Sequence, residues 1–190
     1  MKGKLVIFSA PSGSGKTTIV RKLLEKNLNL EFSISACSRP KRTYEVNGKD
    51  YYFYSIDEFK RKIDQGEFAE WEEVYHDHFY GTLKSEIERI RNQGKNVIFD
   101  VDVKGGVNLK HAYKDEALAL FVMPPSVEEL ERRLINRSSD EPDKIKLRIE
   151  KAEAELKYAN QFDRIIYNDN LEKAVEEAEQ AVKRFISLNA

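Results

Sequence analysis

The sequence predicts an α/β fold in which a mainly parallel sheet is flanked by helices. Apolar, strand-like runs recur at Leu5–Phe8, Val97–Phe99, Leu118–Val122 and Arg164–Tyr167. Helical hydrophobic periodicity lies between most of these runs, and strands that alternate with helices build parallel sheets. With 190 residues, the chain is expected to form one domain.

The first strand-like run leads directly into a glycine-rich loop. Residues 10–17 read Ala-Pro-Ser-Gly-Ser-Gly-Lys-Thr, and the segment from Lys16 to Leu24 has helical periodicity. Glycines let backbone N–H groups turn toward an anion, and a helix start adds unpaired N–H groups. Apart from Ala10, which replaces the usual first glycine, the loop matches the phosphate-binding P-loop. It predicts a P-loop NTPase fold that binds ATP through Ala10, Pro11, Ser12, Gly13, Ser14, Gly15, Lys16, Thr17 and Thr18.

Two side chains of this loop are expected to act in the chemistry. Lys16 would reach the β- and γ-phosphates of the nucleotide, and the Thr17 hydroxyl would bind Mg²⁺. Asp100 follows the apolar run at 97–99, and a carboxylate at a strand end of an α/β sheet is commonly functional or a helix cap. Asp100 is therefore a candidate for indirect binding of the same Mg²⁺ ion.

Composition restricts the partners and the compartment. The formal net charge is −1, whereas a protein that follows nucleic-acid phosphates needs a surplus of basic residues. The single cysteine, Cys37, excludes an internal disulfide and favours a reducing compartment. Neither a secretory signal nor a run of transmembrane length is visible. We expect a cytoplasmic protein with no nucleic-acid polymer and no membrane as partner, and its oligomeric state stays open.

Helix-start signals divide the second half of the chain. Ser126 and Glu129 form a capping-box pattern that opens a helix to about Arg137. Residues 138–143 are rich in Ser and Asp and interrupt the pattern before a longer helix that runs to about Asn160. The final stretch, from 171 to 186, has the pattern of an amphipathic helix that covers the sheet.

Residues 33–82 differ from the rest of the chain. They are rich in aromatics and alternate like short antiparallel strands, with a hairpin turn expected at Asn47-Gly48 and a short helix opened by Ser55 and Glu58. We interpret this segment as an inserted lobe. The predicted division of the single domain 1–190 is a core of 1–32, 83–125 and 160–190, an inserted lobe of 33–82 and a lid region of 126–159.

Several short motifs occur in a fixed order in and after this lobe. Arg39 and Arg42 lie three positions apart in a proline-bent segment, which suits bidentate capture of a phosphate. The further motifs are Glu45-Val-Asn-Gly-Lys-Asp-Tyr51, Phe68-x-Glu70-Trp71, Tyr80-Gly81-Thr82, Asp100-x-Asp102 and Asn168-Asp169. In these motifs and their spacing, the chain resembles the guanylate kinases along nearly its whole length.

The resemblance implies how an acceptor nucleotide, GMP, is bound. Arg39, Arg42, Tyr51 and Tyr80 would hold its phosphate. The residues implied for its base are Ser35, Glu70, Thr82 and Asp102. Glu70 and Asp102 would accept hydrogen bonds from guanine N1–H and its exocyclic amine, which adenine could not supply in the same arrangement. Whether dGMP is also accepted stays open.

The resemblance also implies a lid and a place for the adenine. Arg133, Arg137 and Arg148 match the lid arginines of the family, and Asn168 matches a position near the adenine. A lid that carries arginines would neutralise the transferring phosphoryl group and exclude water. No catalytic base is needed, because the acceptor is already an anionic phosphate oxygen, so Lys16, Mg²⁺ and the arginines suffice.

The leading prediction is an ATP:GMP phosphotransferase that forms ADP and GDP. One alternative is an inactive guanylate-kinase-like interaction module, which usually has an eroded P-loop, whereas Lys16 and Thr17 are intact here. A second alternative is a related kinase for a phosphorylated sugar, which would not need the guanine-matching residues.

Overall fold

A five-stranded parallel sheet forms the centre of the molecule. The structure is a computed structural model that describes residues 2–137 and 142–187, with the side chains of residue 75, 136–137 and 142–144 outside the description. In the described part, the strands are β1 (Leu5–Ser9), β2 (Leu30–Phe32), β3 (Ala36–Cys37), β4 (Tyr52–Phe53), β5 (Phe68–Tyr75), β6 (His78–Leu83), β7 (Asn96–Val101), β8 (Ala117–Met123) and β9 (Arg164–Tyr167). The central sheet has the order β2-β7-β1-β8-β9 with all pairs parallel.

Helices cover both faces of this sheet, so the predicted α/β class is confirmed. The helices are α1 (Lys16–Leu24), α2 (Ile56–Asp64), α3 (Lys84–Asn92), α4 (Val103–Tyr113), α5 (Val127–Arg137), α6 (Pro142–Leu156) and α7 (Leu171–Ser187). Strand β1 shows why two layers form, because all five of its residues are buried. Val6 and Phe8 pack with residues of α1 and α7, whereas Leu5 and Ile7 pack with residues of α3 and α4. Side chains that alternate along a buried strand thus feed two separate apolar layers.

The four strands predicted from apolar runs are present as β1, β7, β8 and β9. Strand β2 has no such signal, since its three residues are only half-buried at the edge of the sheet. No helix within the described ranges is both long enough and apolar enough to span a membrane.

A second, four-stranded sheet is formed within the segment predicted to be an inserted lobe. Its order is β4-β3-β6-β5, and it packs on α2 through a cluster centred on Phe59, whose ring stacks on Phe68 at 4.4 Å. The pairs β3–β6 and β5–β6 are antiparallel as expected, whereas β3–β4 is parallel. The lobe is therefore mainly, but not wholly, antiparallel.

The hairpin expected at Asn47-Gly48 is wrong. Gly48 does turn the chain with φ of 76°, but the neighbouring bridge from Asn47 to Tyr51 is parallel and no hairpin strands flank it. Side chains hold the loop instead. Asp50 Oδ2 accepts a hydrogen bond from Val46 N at 2.7 Å, and Asn47 Oδ1 accepts one from Phe53 N at 2.9 Å. Such side-chain bonds to the backbone replace the ladder that a hairpin needs.

Helix ends follow the cap signals in part. The capping box at Ser55 and Glu58 is complete at the start of α2. At α5, the Ser126 hydroxyl accepts from Glu129 N at 3.2 Å, while the Glu129 carboxylate pairs with arginines of the same helix. Helix α6 ends at Leu156, before the predicted limit near 160, and a separate 3₁₀ turn follows at 159–161.

Helix α4 lies unusually close to β1 because of a glycine. A Cβ on Gly106 would lie 2.0 Å from Ser9 Oγ and 3.2 Å from the ring of Phe162. The close approach matters for the site, since Ser9 Oγ donates at 3.0 Å to the carbonyl of Asp102 at the start of α4.

We predict that Gly106→Ala lowers the free energy of unfolding by about 1–3 kcal/mol, because the added methyl group forces α4 away from β1. Lys104→Ala on the same helix is the control, since Lys104 is exposed and its replacement should change stability by less than about 0.5 kcal/mol. Urea denaturation of both variants measures the difference. Equal stability of the two variants would contradict the packing described here.

Candidate active site

A cavity of about 450 Å³ lies where the carboxyl ends of β1 and β7 meet the second sheet and α6. It is lined by residues 10–18 of the P-loop, by Ser35, Tyr51, Glu70, Glu72, Val74, Tyr80 and Gly81 from the second sheet and the segment before it, by residues 100–102, and by Arg148, Lys151 and Glu155 of α6. Segments far apart in sequence therefore converge on one cavity.

The P-loop forms the floor of this cavity. Gly13 and Gly15 have φ of 93° and 91°, values that residues with a Cβ rarely adopt. Gly15 precedes the first residue of α1, so the unpaired N–H groups of that helix start face the loop. Ala10 is buried in the core and has no positive φ, which explains why an alanine fits where the pattern has its first glycine.

Asn168 lies behind the loop rather than in the cavity wall. Its side-chain amide is buried and donates to the Ser14 carbonyl at 2.7 Å, and its backbone N–H donates to the Met123 carbonyl at 2.9 Å. A Cβ on Gly15 would lie 2.2 Å from this amide. Asn168, which was predicted to lie near the adenine, thus supports the P-loop backbone in this structure.

Asp100 contacts both side chains of the loop that were predicted to act in the chemistry. Lys16 Nζ lies 2.6 Å from Asp100 Oδ1, and the Thr17 hydroxyl donates to Asp100 Oδ2 at 2.7 Å. Lys16 also donates to the Val101 carbonyl. The Thr17 and Asp100 oxygens are hard ligands of the kind that Mg²⁺ prefers, so the residues present fit the ion.

A buried carboxylate, Glu70, faces the cavity from β5. The register of β5 and β6 places it opposite Thr82, whose hydroxyl donates to Glu70 Oε1 at 2.6 Å. Burial raises the pKa of Glu70 to about 8, and the nearby Asp102 carboxylate adds to the rise. A Cβ on Gly105 would lie 2.7 Å from Glu70 Oε2, so this glycine leaves room for the carboxylate.

Asp102 lies beside Glu70 and caps α4. Its Oδ1 accepts from Gly105 N at 2.7 Å, which fixes the carboxylate at the positive end of the helix. Ser35 lines the same cavity, whereas Thr82 lies fully buried behind Glu70. The four residues implied for the guanine base are therefore close together. Thr82 does not line the cavity and contacts Glu70, which does.

Arg39 is held by a residue to which the sequence analysis gave no role. Glu45 binds both Arg39 terminal nitrogens, at 2.7 and 2.5 Å, and its Oε2 also accepts from Arg42 N at 2.8 Å. Arg39 lies over the Tyr51 ring at 5.0 Å, and that ring meets Tyr80 edge-on at 6.1 Å. The bidentate pair lowers the pKa of Glu45 to about 2, so Glu45 is a carboxylate at neutral pH.

Arg42 is placed differently from Arg39. Its guanidinium is exposed and contacts the Tyr44 hydroxyl at 2.9 Å. Neither arginine lines the cavity, whereas Tyr51 and Tyr80 do. The four residues implied for the acceptor phosphate thus form one wall, with two aromatic side chains at the cavity and the two arginines beside them.

The predicted lid arginines are only partly placed. Arg148 of α6 lines the cavity, and Arg133 Nε pairs with Glu129 Oε1 at 2.8 Å on α5, away from the cavity lining. The Arg137 side chain and residues 138–141 lie outside the described part of the chain.

Three acidic or basic lining residues were missed by the sequence analysis. Glu72 is two residues beyond Glu70, so it lies on the same face of β5. Lys151 and Glu155 follow Arg148 by three and seven positions, so they lie on the same side of α6. Strand and helix periodicity from a known site residue was the signal that could have found them.

Comparisons with known proteins agree on one family. A family model described as guanylate kinase matches residues 2–185. A guanylate kinase of Bacteroides thetaiotaomicron is 54% identical over 187 residues, which cover 98% of this chain and 92% of the relative. A guanylate kinase of Porphyromonas gingivalis is also 54% identical, covering 97% of this chain and 98% of the relative.

A solved structure is similar to this chain in both fold and sequence. The crystal structure of guanylate kinase from Anaplasma phagocytophilum aligns with a TM-score of 0.79 at 28% identity and covers 98% of this chain and 87% of that one. The motifs, the P-loop fold and these matches extend over nearly the whole sequence. The chain belongs to the guanylate kinase family.

Proposed function

We propose that this cavity transfers the γ-phosphoryl group of ATP to the phosphate of GMP. An oxygen of the GMP phosphate bonds to the γ-phosphorus, and the bond from that phosphorus to the β–γ bridging oxygen breaks, which gives GDP and ADP. The observation that carries the proposal is that a P-loop with its lysine and an acidic pair, the buried Glu70 and the half-buried Asp102, line one cavity. The P-loop suits a phosphate donor, and the acidic pair suits a base with two adjacent N–H donors.

On the donor side, the P-loop amides and Lys16 bind the ATP phosphates. Lys16 pairs with Asp100 in the structure. A phosphate oxygen that binds Lys16 therefore either shares the ammonium group with the Asp100 carboxylate or displaces that carboxylate. Residues 10–18 surround that position, and Asn168 keeps the loop in shape through Ser14.

Thr17 and Asp100 are the residues that would hold Mg²⁺. Bound there, the ion would neutralise charge on the β- and γ-phosphates. The contribution of the chain is to keep the two oxygen ligands together, which the 2.7 Å bond between them already does.

Glu70 and Asp102 would recognise the base. Guanine N1–H and the exocyclic amine would donate to Glu70 and Asp102, with Ser35 and Thr82 completing the site. Glu70 accepts such bonds most strongly as a carboxylate, although burial favours its protonated form. Two donors from guanine offset the cost of burying that charge, whereas adenine would leave it unpaired.

The acceptor phosphate would lie against Tyr51 and Tyr80, with Arg39 and Arg42 beside it. Glu45 keeps the Arg39 fork in one orientation, so less conformational freedom is lost when the phosphate binds. Arg42 is exposed and can move to the same phosphate.

Catalysis in this arrangement is positioning and charge neutralisation. Lys16 and the lid arginines Arg133, Arg137 and Arg148 would stabilise the charge on the transferring group. We assign the GMP-binding lobe to 33–82, the lid region to 126–159 and the core to the remaining segments. The lobe and the lid would close over both nucleotides and exclude water, and we place the reaction in the cytoplasm.

The two alternative functions fit less well. A non-catalytic interaction module has no use for the Lys16–Asp100–Thr17 contacts. A kinase for a phosphorylated sugar has no use for the adjacent acids Glu70 and Asp102. Release of ADP from ATP in the presence of GMP, AMP, UMP or no acceptor tests the proposal directly. Turnover should be fast with GMP and slow in the other three cases.

We predict that Lys16→Ala lowers kcat at least about 100-fold, because a preorganised cation at the transferring group is lost. GMP affinity, measured by calorimetry, should stay within about threefold of the wild type. Arg21→Ala is the matched control, since Arg21 is exposed on the same helix. A Lys16→Ala enzyme within about tenfold of wild-type activity would contradict the role of Lys16.

We predict that GMP affinity rises between pH 7 and about 8.5. The raised pKa of Glu70, about 8, means that the side chain must release a proton when GMP binds at neutral pH, and this penalty disappears as pH rises through that pKa. Calorimetry in two buffers of different ionisation enthalpy counts the protons released. Glu70→Gln should bind GMP more weakly, with no dependence on pH in this window. Absence of proton release in the wild type would contradict the prediction.

We predict that Glu45→Gln raises the KM for GMP about tenfold and leaves kcat and the KM for ATP nearly unchanged. The amide cannot bind both nitrogens of Arg39 as acceptors, so Arg39 loses its fixed orientation. Glu67→Gln serves as control, since Glu67 pairs with Lys62 at 2.9 Å outside the cavity lining. Steady-state kinetics with each substrate varied in turn checks the split. A fall in kcat with an unchanged KM for GMP would be inconsistent with a positioning role.

A further inference from the structure

The carboxylate of Glu72 has no part in the reaction described so far. Glu72 lines the cavity from β5, two residues beyond Glu70 and on the same face of that strand. An acid beside a site for two polyanionic nucleotides raises repulsion unless it faces a hydrogen-bond donor. Its position therefore calls for a specific partner.

Strand register places Glu72 along the length of the acceptor nucleotide. Glu70 is paired with Thr82, and Glu72 is paired with Tyr80, one step along the same face. The first pair belongs to the proposed base site and Tyr80 to the proposed phosphate site. Between a base and its phosphate, a nucleotide has only its ribose, so the Glu72 side chain starts at the level of the sugar.

A contact from α4 directs this side chain away from the phosphate wall. Asn108 Nδ2 donates to Glu72 Oε1 at 2.9 Å, and Asn108 lies on the helix that Asp102 caps. Among the described residues this is the hydrogen bond that Glu72 makes, which leaves Oε2 for another donor. The carboxylate is thus held on the side of the cavity that also carries the base-binding acid Asp102.

The chemistry of the acceptor nucleotide identifies the donor that Glu72 Oε2 can bind. The base is served by Glu70 and Asp102, and the phosphate oxygens only accept hydrogen bonds or repel a carboxylate. The remaining donors of the acceptor nucleotide are the ribose hydroxyls, whose O–H groups complement a carboxylate oxygen.

We propose that Glu72 accepts a hydrogen bond from a ribose hydroxyl of the acceptor nucleotide and so favours ribonucleotides over deoxynucleotides. This inference rests on the proposed GMP site. Glu72 is a specificity-determining residue in this view, and Asn108 positions it. The competing interpretation is that the Glu72–Asn108 bond only ties β5 to α4.

Deoxy substrates separate the two interpretations. We expect wild-type kcat/KM to be about tenfold lower for 2′-deoxyGMP or 3′-deoxyGMP than for GMP, since a hydrogen bond to a charged group is lost. Glu72→Gln and Glu72→Ala should also lower kcat/KM for GMP about tenfold. For the deoxy substrate that the wild type uses poorly, kcat/KM should stay nearly unchanged in both variants. Glu73→Gln is the control: Glu73 is exposed outside the cavity lining, and all three substrates should keep their wild-type values.

Each result decides between the interpretations. Equal wild-type kcat/KM for all three substrates would overturn the proposal even if the variants did not fold. An equal loss for all three substrates in folded Glu72→Gln would also overturn it, because a purely structural tie affects every acceptor alike. Absence of GMP phosphorylation by the wild type is a different outcome and would instead remove the proposed function.

Discussion

The parallel pairing of β1 with β7 determines where the chemistry of this chain can occur. The register places Phe8 beside Asp100 and Ser9 beside Val101, so both strands end at the same edge of the sheet. From that edge β1 continues into the P-loop, and Asp100 reaches back to Lys16 and Thr17. A slip of one residue would point Asp100 to the opposite face of the sheet and remove both contacts. The alternating burial of side chains along β1 and β7 therefore fixes the proposed donor site through packing.

The same edge also fixes the acceptor side. Asp102 follows β7 and caps α4, and α4 can approach the sheet because Gly106 has no side chain. One residue earlier, Gly105 leaves space for the Glu70 carboxylate that arrives from the second sheet. Two adjacent glycines thus perform different tasks, one in helix packing and one in the binding site. In the proposed site, substrate selection depends on the space that these glycines leave as much as on the acids themselves.

Local patterns were predictable, whereas contacts between distant segments were not. The P-loop is contiguous and joins a strand to a helix, so its eight residues carry both the structure and the chemistry. Strand β2 was missed because three half-buried residues have no periodicity to detect. The Asn47-Gly48 turn was misinterpreted because Asn47 and Asp50 bind the backbone of their own loop. The motifs implied the acids proposed to bind the base through resemblance alone, and only the folded chain shows Glu45 holding Arg39.

An oppositely charged partner holds each of three cations that were predicted to bind or transfer phosphate. Lys16 pairs with Asp100, Arg39 with Glu45 and Arg133 with Glu129, each within 2.8 Å. The paired carboxylate keeps each cation near its place. It also offsets the cost of removing the cation from water, which an unpaired charge would bear in full. A phosphate that approaches one of these cations must compete with a carboxylate or share the cation with it. Weak or singly charged anions compete poorly, so the arrangement favours ligands that bring several phosphate charges at once. Selectivity for nucleotides on this view begins with the acids that hold the basic residues.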